Sequence, residues 1–266
     1  MVVDGARDAA VTEHFANGSA PRELTRPLVD EAPVAIEING IGYAVMMATP
    51  ADLDDYALGF CLSEQLIVSA GEYLSSDSFE VPPVAGMAGG WMLRVALDAP
   101  AAGPLLDRAR LRLAEGSCGL CGIESLEQVL RPLRAVSARL TVEKAAIFRA
   151  VSALGDHQVL GRATRAAHAA AFCAVDGTIV MVREDVGRHN AFDKLIGALA
   201  HAGIDPATGF VVLTARCSFE LVQKAVIANV PVLATISAAS TMAVDQAHLH
   251  GLTLYSLARE DSLLEV

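Results

Sequence analysis

A chain of 266 residues, 53% hydrophobic and 5% aromatic, has room for one large or two small globular domains rich in Ala, Val and Leu. Its formal net charge of −11 argues against a general nucleic-acid binder, whose phosphate contacts need a basic surface, while leaving room for one nucleotide in a locally basic cleft. Five cysteines, an odd number with one close pair, favour catalytic, redox or metal thiols over a disulfide framework.

Residues 1–29 carry scattered acids (Asp4, Asp8, Glu13, Glu23) without the basic start and apolar run of a secretory signal, so a flexible segment and a cytoplasmic location are expected. Residues 33–49 alternate apolar positions around Asn39-Gly40, which predicts a β-hairpin with a two-residue turn. Ala51 to Ile67 follows with Leu53, Tyr56, Ala57, Phe60 and Leu62 at helical spacing and Asp52, Asp54 and Asp55 at its start, which predicts a helix. Trp91 to Leu97 reads as a strand between Gly/Pro loops. A boundary near residue 114 divides a smaller α+β unit, 30–114, from a unit spanning 115–266.

That second unit opens on Gly116-Ser117-Cys118-Gly119-Leu120-Cys121-Gly122, two thiols in a loop with glycine at every third position. Cysteine acts as nucleophile, metal ligand or sulfur carrier as the thiolate, and a polar loop keeps a thiolate reachable. Ile123, Leu126, Val129 and Leu130 share one helical face before Pro132, placing Cys121 near a helix N-terminus, where the dipole favours the anion. Cys61, Cys173 and Cys217 stand alone among apolar residues or at a strand end and read as small core residues.

From residue 141 onward the pattern alternates: helix 141–154, strand 171–182, helix 189–200, strand 210–215, helix 219–229, strand 231–237, helix 240–250, strand 252–258. This predicts an α/β fold with a parallel or mixed sheet covered by helices, and ligands gathering at the strand ends. Ala225 to Val244 is free of charge, but Asn229-Val230-Pro231 and several hydroxyls break it into helix end, turn, strand and helix start, so no membrane span is expected.

Three constellations carry candidate chemistry. C-x-x-C alone serves zinc sites, redox pairs and sulfur carriers; further paired ligands for zinc are not evident, and no H-x-E or C-x-E of a zinc deaminase occurs. Around Arg183-Glu184-Asp185-Val186-Gly187-Arg188-His189, a strand ends in a glycine turn and a helix begins, so Arg188 and His189 could hold a phosphate, pterin or carboxylate. The plainer reading pairs Asp185 with Arg188 and lets His189 cap the turn. Ser218 and Ser240 are expected N-caps at the next strand ends, and His168 is expected to be a hydrogen-bonded structural histidine.

Gly116–Gly122, Arg183-Glu-Asp-Val-Gly-Arg-His-Asn-Ala-Phe-Asp-Lys-Leu195, Ser218-Phe-Glu-Leu-Val-Gln-Lys-Ala225 and Ile236-Ser-Ala-Ala-Ser-Thr-Met-Ala-Val244 together closely resemble the FdhD family, as does Met46–Phe60. The resemblance covers about residues 30–258. It implies a cytidine-deaminase-like layered α/β domain beside the smaller N-terminal α+β domain, and a homodimer in the cytoplasm. It also implies a sulfurtransferase that takes persulfide sulfur from a cysteine desulfurase and passes it to the molybdenum cofactor, Mo-bis(molybdopterin guanine dinucleotide), for the formate dehydrogenase apoenzyme, with no permanent metal of its own. By position, Cys118 carries the persulfide and Cys121 is its partner. The cofactor-contacting segment aligns with Leu257, Ala258, Arg259, Glu260, Asp261 and Ser262. Relatives tend to have Gly-Phe and a basic, glycine-containing tail there, whereas this chain has two acids and a single basic residue, Arg259. A chaperone that binds the cofactor without moving sulfur and a zinc-dependent deaminase-type enzyme remain the alternatives.

Overall fold

The computed structural model describes residues 3–84, 89–98 and 133–266. The cysteine loop 116–122, the helix expected after it and the boundary near 114 lie outside the described residues. Strands β1 (Ala6–Glu13) and β2 (Arg22–Val29) form an antiparallel pair closed by Arg22 Nη2 on Glu13 Oε2 at 2.6 Å. Within the segment 1–29, expected to be flexible, residues 6–29 carry this ladder. It lacks apolar alternation because most of its side chains are exposed or half-buried, so backbone hydrogen bonds hold it.

The expected hairpin is β3 (Ala32–Ile38) and β4 (Ile41–Ala48). Asn39 and Gly40 both adopt positive φ, 48° and 81°, as a turn matched to strand twist requires. Asn39 also binds the backbone of Leu97 in both directions, at 2.8 and 3.1 Å, tying the turn to the expected strand, here β6 (Gly90–Leu97). With β5 (Tyr73–Val81) they form a sheet in the order β4-β3-β6-β5. Val34, Ile36, Ile38, Leu93 and Val95 bury one face of it against α1 (Leu53–Ser63), within the stretch expected to be helical.

The larger unit holds α2 (Lys144–His157), α3 (Val159–Thr164), β7 (His168–Cys173), β8 (Ile179–Asp185), α4 (Arg188–His201), β9 (Phe210–Leu213), α5 (Phe219–Ile227), β10 (Val232–Thr235), α6 (Thr241–His250), β11 (Thr253–Ser256) and β12 (Leu264–Glu265). The sheet order is β12-β11-β10-β9-β7-β8. β9, β10 and β11 run parallel; β7 is antiparallel to both β8 and β9. The expected strand 171–182 is thus two strands, because Asp176-Gly177 turns the chain: Gly177 takes φ 90° and Asp176 Oδ1 accepts from Thr178 N.

Alternation sets the layers. In β9, Val211 and Leu213 join Phe192, Leu195, Leu221, Val222 and Ala247 on one face, while Phe210 and Val212 join Ile147, Ala150 and Leu154 of α2 on the other. Each fully buried Val, Leu, Ile or Phe among them contributes roughly 1.5–3 kcal/mol before entropy is counted. The uncharged stretch 225–244 resolves into the end of α5, a turn at Asn229, β10 and the start of α6. Among the described residues no helix is long and apolar enough to cross a membrane.

The two units meet where α1 crosses α4. A Cβ on Gly59 would lie 1.7 Å from the carbonyl oxygen of Asp193, and one on Gly197 would lie 1.9 Å from that of Asp55. The helices therefore touch backbone to backbone, which glycine alone permits.

Candidate functional site

β8, β9, β10 and β11 all end at one edge of the larger sheet, and β7 begins there. That edge gathers His168, Asp185–His189, Thr214–Ser218, Ile236–Ser240 and Leu257–Ser262. The strand-end loops expected to lie together do so, and backbone bonds join them. Cys217 N donates to Ala238 O and Ser240 N to Cys217 O, both at 3.0 Å; Ala258 N donates to Thr235 O at 3.0 Å and Ala239 N to Ser256 Oγ at 3.0 Å. The edge is a rigid floor, the usual ligand position in an open α/β sheet.

Arg188 and His189 open α4 behind Gly187, whose position as N-cap supplies no side-chain cap. The expected pairing of Asp185 with Arg188 is not formed. Asp185 is fully buried and takes the equally enclosed Lys194 Nζ of α4 at 2.7 Å, because either charge left unpaired in the interior would be strongly destabilising. Arg188 is left with its Nε buried and without a hydrogen-bond partner. An arginine in that state suits an anion brought from outside.

His189 is engaged instead. Its Nε2 lies 3.5 Å from Ser218 Oγ and 3.8 Å from Glu220 Oε2. Burial alone would raise the Glu220 carboxyl, but bonds from His189 and Ser218 outweigh it and bring its pKa down to about 2. His189 thus reaches across to α5 rather than capping its own turn. Of the two serines expected as caps, Ser240 accepts from Ala243 N at 3.3 Å, whereas Ser218 stands at the N-cap position without a side-chain cap bond. His168 opposes Asp185 across the β7–β8 ladder; burial, and then the Arg188 cation, lower its pKa, with Asp185 opposing.

Leu257, at φ 51°, starts the turn that follows β11. Ala258 is fully buried, while Glu260, Asp261 and Ser262 are exposed, with Ser262 Oγ donating to Asp261 Oδ1 at 3.1 Å. Arg259 sends its guanidinium to the carbonyls of Ile236 and Ala258, so its donors are partly spent within the fold. The chain then returns as β12, antiparallel to β11.

Cys118 and Cys121 lie outside the described residues. Cys61, Cys173 and Cys217 are buried, and burial pushes each thiol up to about 12, with Asp193 and Glu64 adding to the effect at Cys61. They are core residues, as expected. Among the described residues, no group of three or more His, Cys, Asp or Glu side chains is placed to hold a metal.

Thr49, Lys194 and Glu220 escaped the sequence reading. A signal for Lys194 was available: Asn190 to Leu199 carries apolar residues nearly all round, which marks a buried helix in which a lysine needs a partner.

Residues 29–264 match the model of the FdhD/NarQ family. The chain is 43% identical over 264 residues to the sulfur carrier protein FdhD of Chromobacterium violaceum, covering 98% of this chain and 95% of that protein. With the protein of the same name from Variovorax paradoxus the identity is 44% over 234 residues, covering 88% and 82%. In fold it is similar to a crystal structure from Desulfotalea psychrophila, assigned as a formate dehydrogenase accessory protein, with a TM-score of 0.75 at 20% identity, covering 98% of this chain and 96% of that one.

Proposed function

Because the chain belongs to the FdhD/NarQ family, we propose that it is a cytoplasmic sulfur carrier that moves persulfide sulfur from a cysteine desulfurase to Mo-bis(molybdopterin guanine dinucleotide) destined for formate dehydrogenase. The Cys118 thiolate attacks the terminal sulfur of the donor's persulfide; the donor cysteine leaves as a thiolate, and Cys118 holds the sulfane sulfur. Cys121, at the start of the helix expected after the loop, supports the anion. The acceptor is a substrate rich in phosphate.

The observation that carries the acceptor side is Arg188, a guanidinium with a buried, unpartnered Nε at the edge where the strand ends converge. His189, whose Nε2 lies 3.8 Å from Glu220 Oε2, stands at the same edge. Leu257-Ala258-Arg259-Glu260-Asp261-Ser262 shares this edge and contributes shape and backbone groups more than charge, since Arg259 already serves two carbonyls. The mixed sheet, with β7 antiparallel to β8 and β9 and helices on both faces, supports a cytidine-deaminase-like layering of the 115–266 unit beside the 30–114 unit. The working form on this reading is a homodimer.

The test is to incubate the protein with a desulfurase and cysteine and to weigh the peptide containing Cys118. A gain of about 32 Da, one sulfur atom on a thiol, is expected; no gain overturns the carrier role. Dehydrogenase maturation that survives Cys118→Ala but is lost with Arg188→Ala would identify a cofactor chaperone instead.

A further inference from the structure

The N-terminal unit reaches the Arg188 turn through a buried polar junction. Each oxygen of the Asp185 carboxylate takes two donors: Oδ1 accepts from Gly187 N at 2.7 Å and Asn190 Nδ2 at 3.0 Å, and Oδ2 from Thr49 N at 3.0 Å and Lys194 Nζ at 2.7 Å. Lys194 Nζ, also fully enclosed, completes its donors on Thr49 O at 2.9 Å and Glu184 O at 3.5 Å. Thr49 Oγ1 in turn accepts from Val186 N at 3.1 Å, and Asn190 Nδ2 donates to Met47 O at 2.8 Å.

Neither charge has capacity left for a ligand, so the pair does not bind substrate. Nor is stability a sufficient reason for it, since an apolar pair of similar volume holds a core as well without desolvating two ions. What an apolar pair lacks is direction. Here Met47 O and the N, O and Oγ1 atoms of Thr49 bond to Asn190, Asp185, Lys194 and Val186, residues on both sides of Arg188, so the junction sets where that guanidinium stands.

We infer that the buried Asp185–Lys194 pair is a positioning device through which Thr49 of the N-terminal unit fixes the turn that delivers Arg188 to the carboxyl edge of the larger sheet. The inference rests on the reading of Arg188 as the anion acceptor of the proposed carrier. It makes Thr49, Asp185 and Lys194 positioning residues and gives the smaller unit a part in acceptor binding without a contact to the acceptor.

Binding of guanosine diphosphate to the full chain, measured by calorimetry, tests it beside thermal melts. The double variant Asp185→Asn/Lys194→Met leaves no unpaired buried charge, and Thr49→Val removes one acceptor while keeping the backbone bonds. The double variant is expected to bind about tenfold more weakly, the scale of one misplaced charge-assisted bond, and Thr49→Val to bind measurably more weakly while melting close to the parent protein. Leu154→Ala, a core change in α2, should lower the melting temperature and leave the affinity intact. Parent-like affinity in both junction variants overturns the positioning role alone. A parent protein that does not bind the nucleotide overturns the acceptor reading, and the inference with it. A loss of affinity in Leu154→Ala as large as in the junction variants reduces the junction to a general stability effect and overturns it too.

Discussion

Gly59 of α1 and Gly197 of α4 face each other across the helix crossing with no space for a methyl group on either. In an ordinary helix interior, Gly→Ala gains about 1 kcal/mol. At this crossing the sign reverses, because the new Cβ would meet a backbone carbonyl that cannot rotate away. Gly59→Ala and Gly197→Ala are each expected to cost more than about 4 kcal/mol in urea unfolding. An unchanged midpoint for either would show that the two helices are not in backbone contact.

Arg188 and Arg259 share the sheet edge but differ in what they hold. Arg188→Met removes a guanidinium with an unsatisfied buried nitrogen and should gain roughly 1 kcal/mol of stability while weakening guanosine diphosphate binding. Arg259→Ala releases two carbonyls and should weaken binding much less. Urea titration and calorimetry on the two variants check this, and an Arg259→Ala loss exceeding that of Arg188→Met contradicts it.

Glu220 gives the fold an acid-sensitive bond. Its carboxyl titrates at about 2 in the folded chain against 4.5 in the open, so the unfolded state binds the proton first. The stabilisation is fully present above pH about 4.5 and drains away as pH falls toward about 2, on the order of 3 kcal/mol in all. Glu220→Gln should therefore lie well below the parent protein in stability at pH 6 and draw level with it near pH 2. A constant gap across that window would refute the assignment.

Between α4 and α5, Lys224 Nζ sits 2.6 and 2.8 Å from the two oxygens of Asp193, a carboxylate only 2% exposed. Lys224→Met strands that carboxylate and should cost about 3–5 kcal/mol, whereas Asp193→Asn/Lys224→Met should recover most of the loss. Chemical denaturation of the single and double variants measures the difference, and a double variant no better than the single would contradict the pairing.

What the sequence made legible follows from how local each signal is. Asn39-Gly40 dictates its own turn, and the apolar spacing from Leu53 to Leu62 dictates α1, so both stand where expected. Ala171 to Val182 misled because apolar residues flank Asp176-Gly177 closely enough to read as one strand, hiding a turn that reverses the chain. The convergence of the strand ends was legible from the alternation of helix and strand, since topology alone brings them to one edge. The partner of Asp185 was not. Arg188 is three residues away and exists as an obvious choice in any local reading, while Lys194 wins through an enclosure that Thr49, 145 residues distant from it, helps to build. Cooperation across that separation leaves no periodic mark in a single sequence.

The return of the chain along β11 has a bearing on assembly. Glu265 pairs with Tyr255 and Leu264 with Ser256, and Lys144 of α2 holds Glu265 at 2.9 Å. A strand whose outer amides and carbonyls stay unpaired invites another molecule to extend it. With β12 laid over that flank, the outer edge of the sheet becomes a strand of two residues, Leu264–Glu265, which is too short to template a long ladder. Such a short edge, held by the Lys144 ion pair, offers a neighbouring molecule few backbone groups to pair with on this flank.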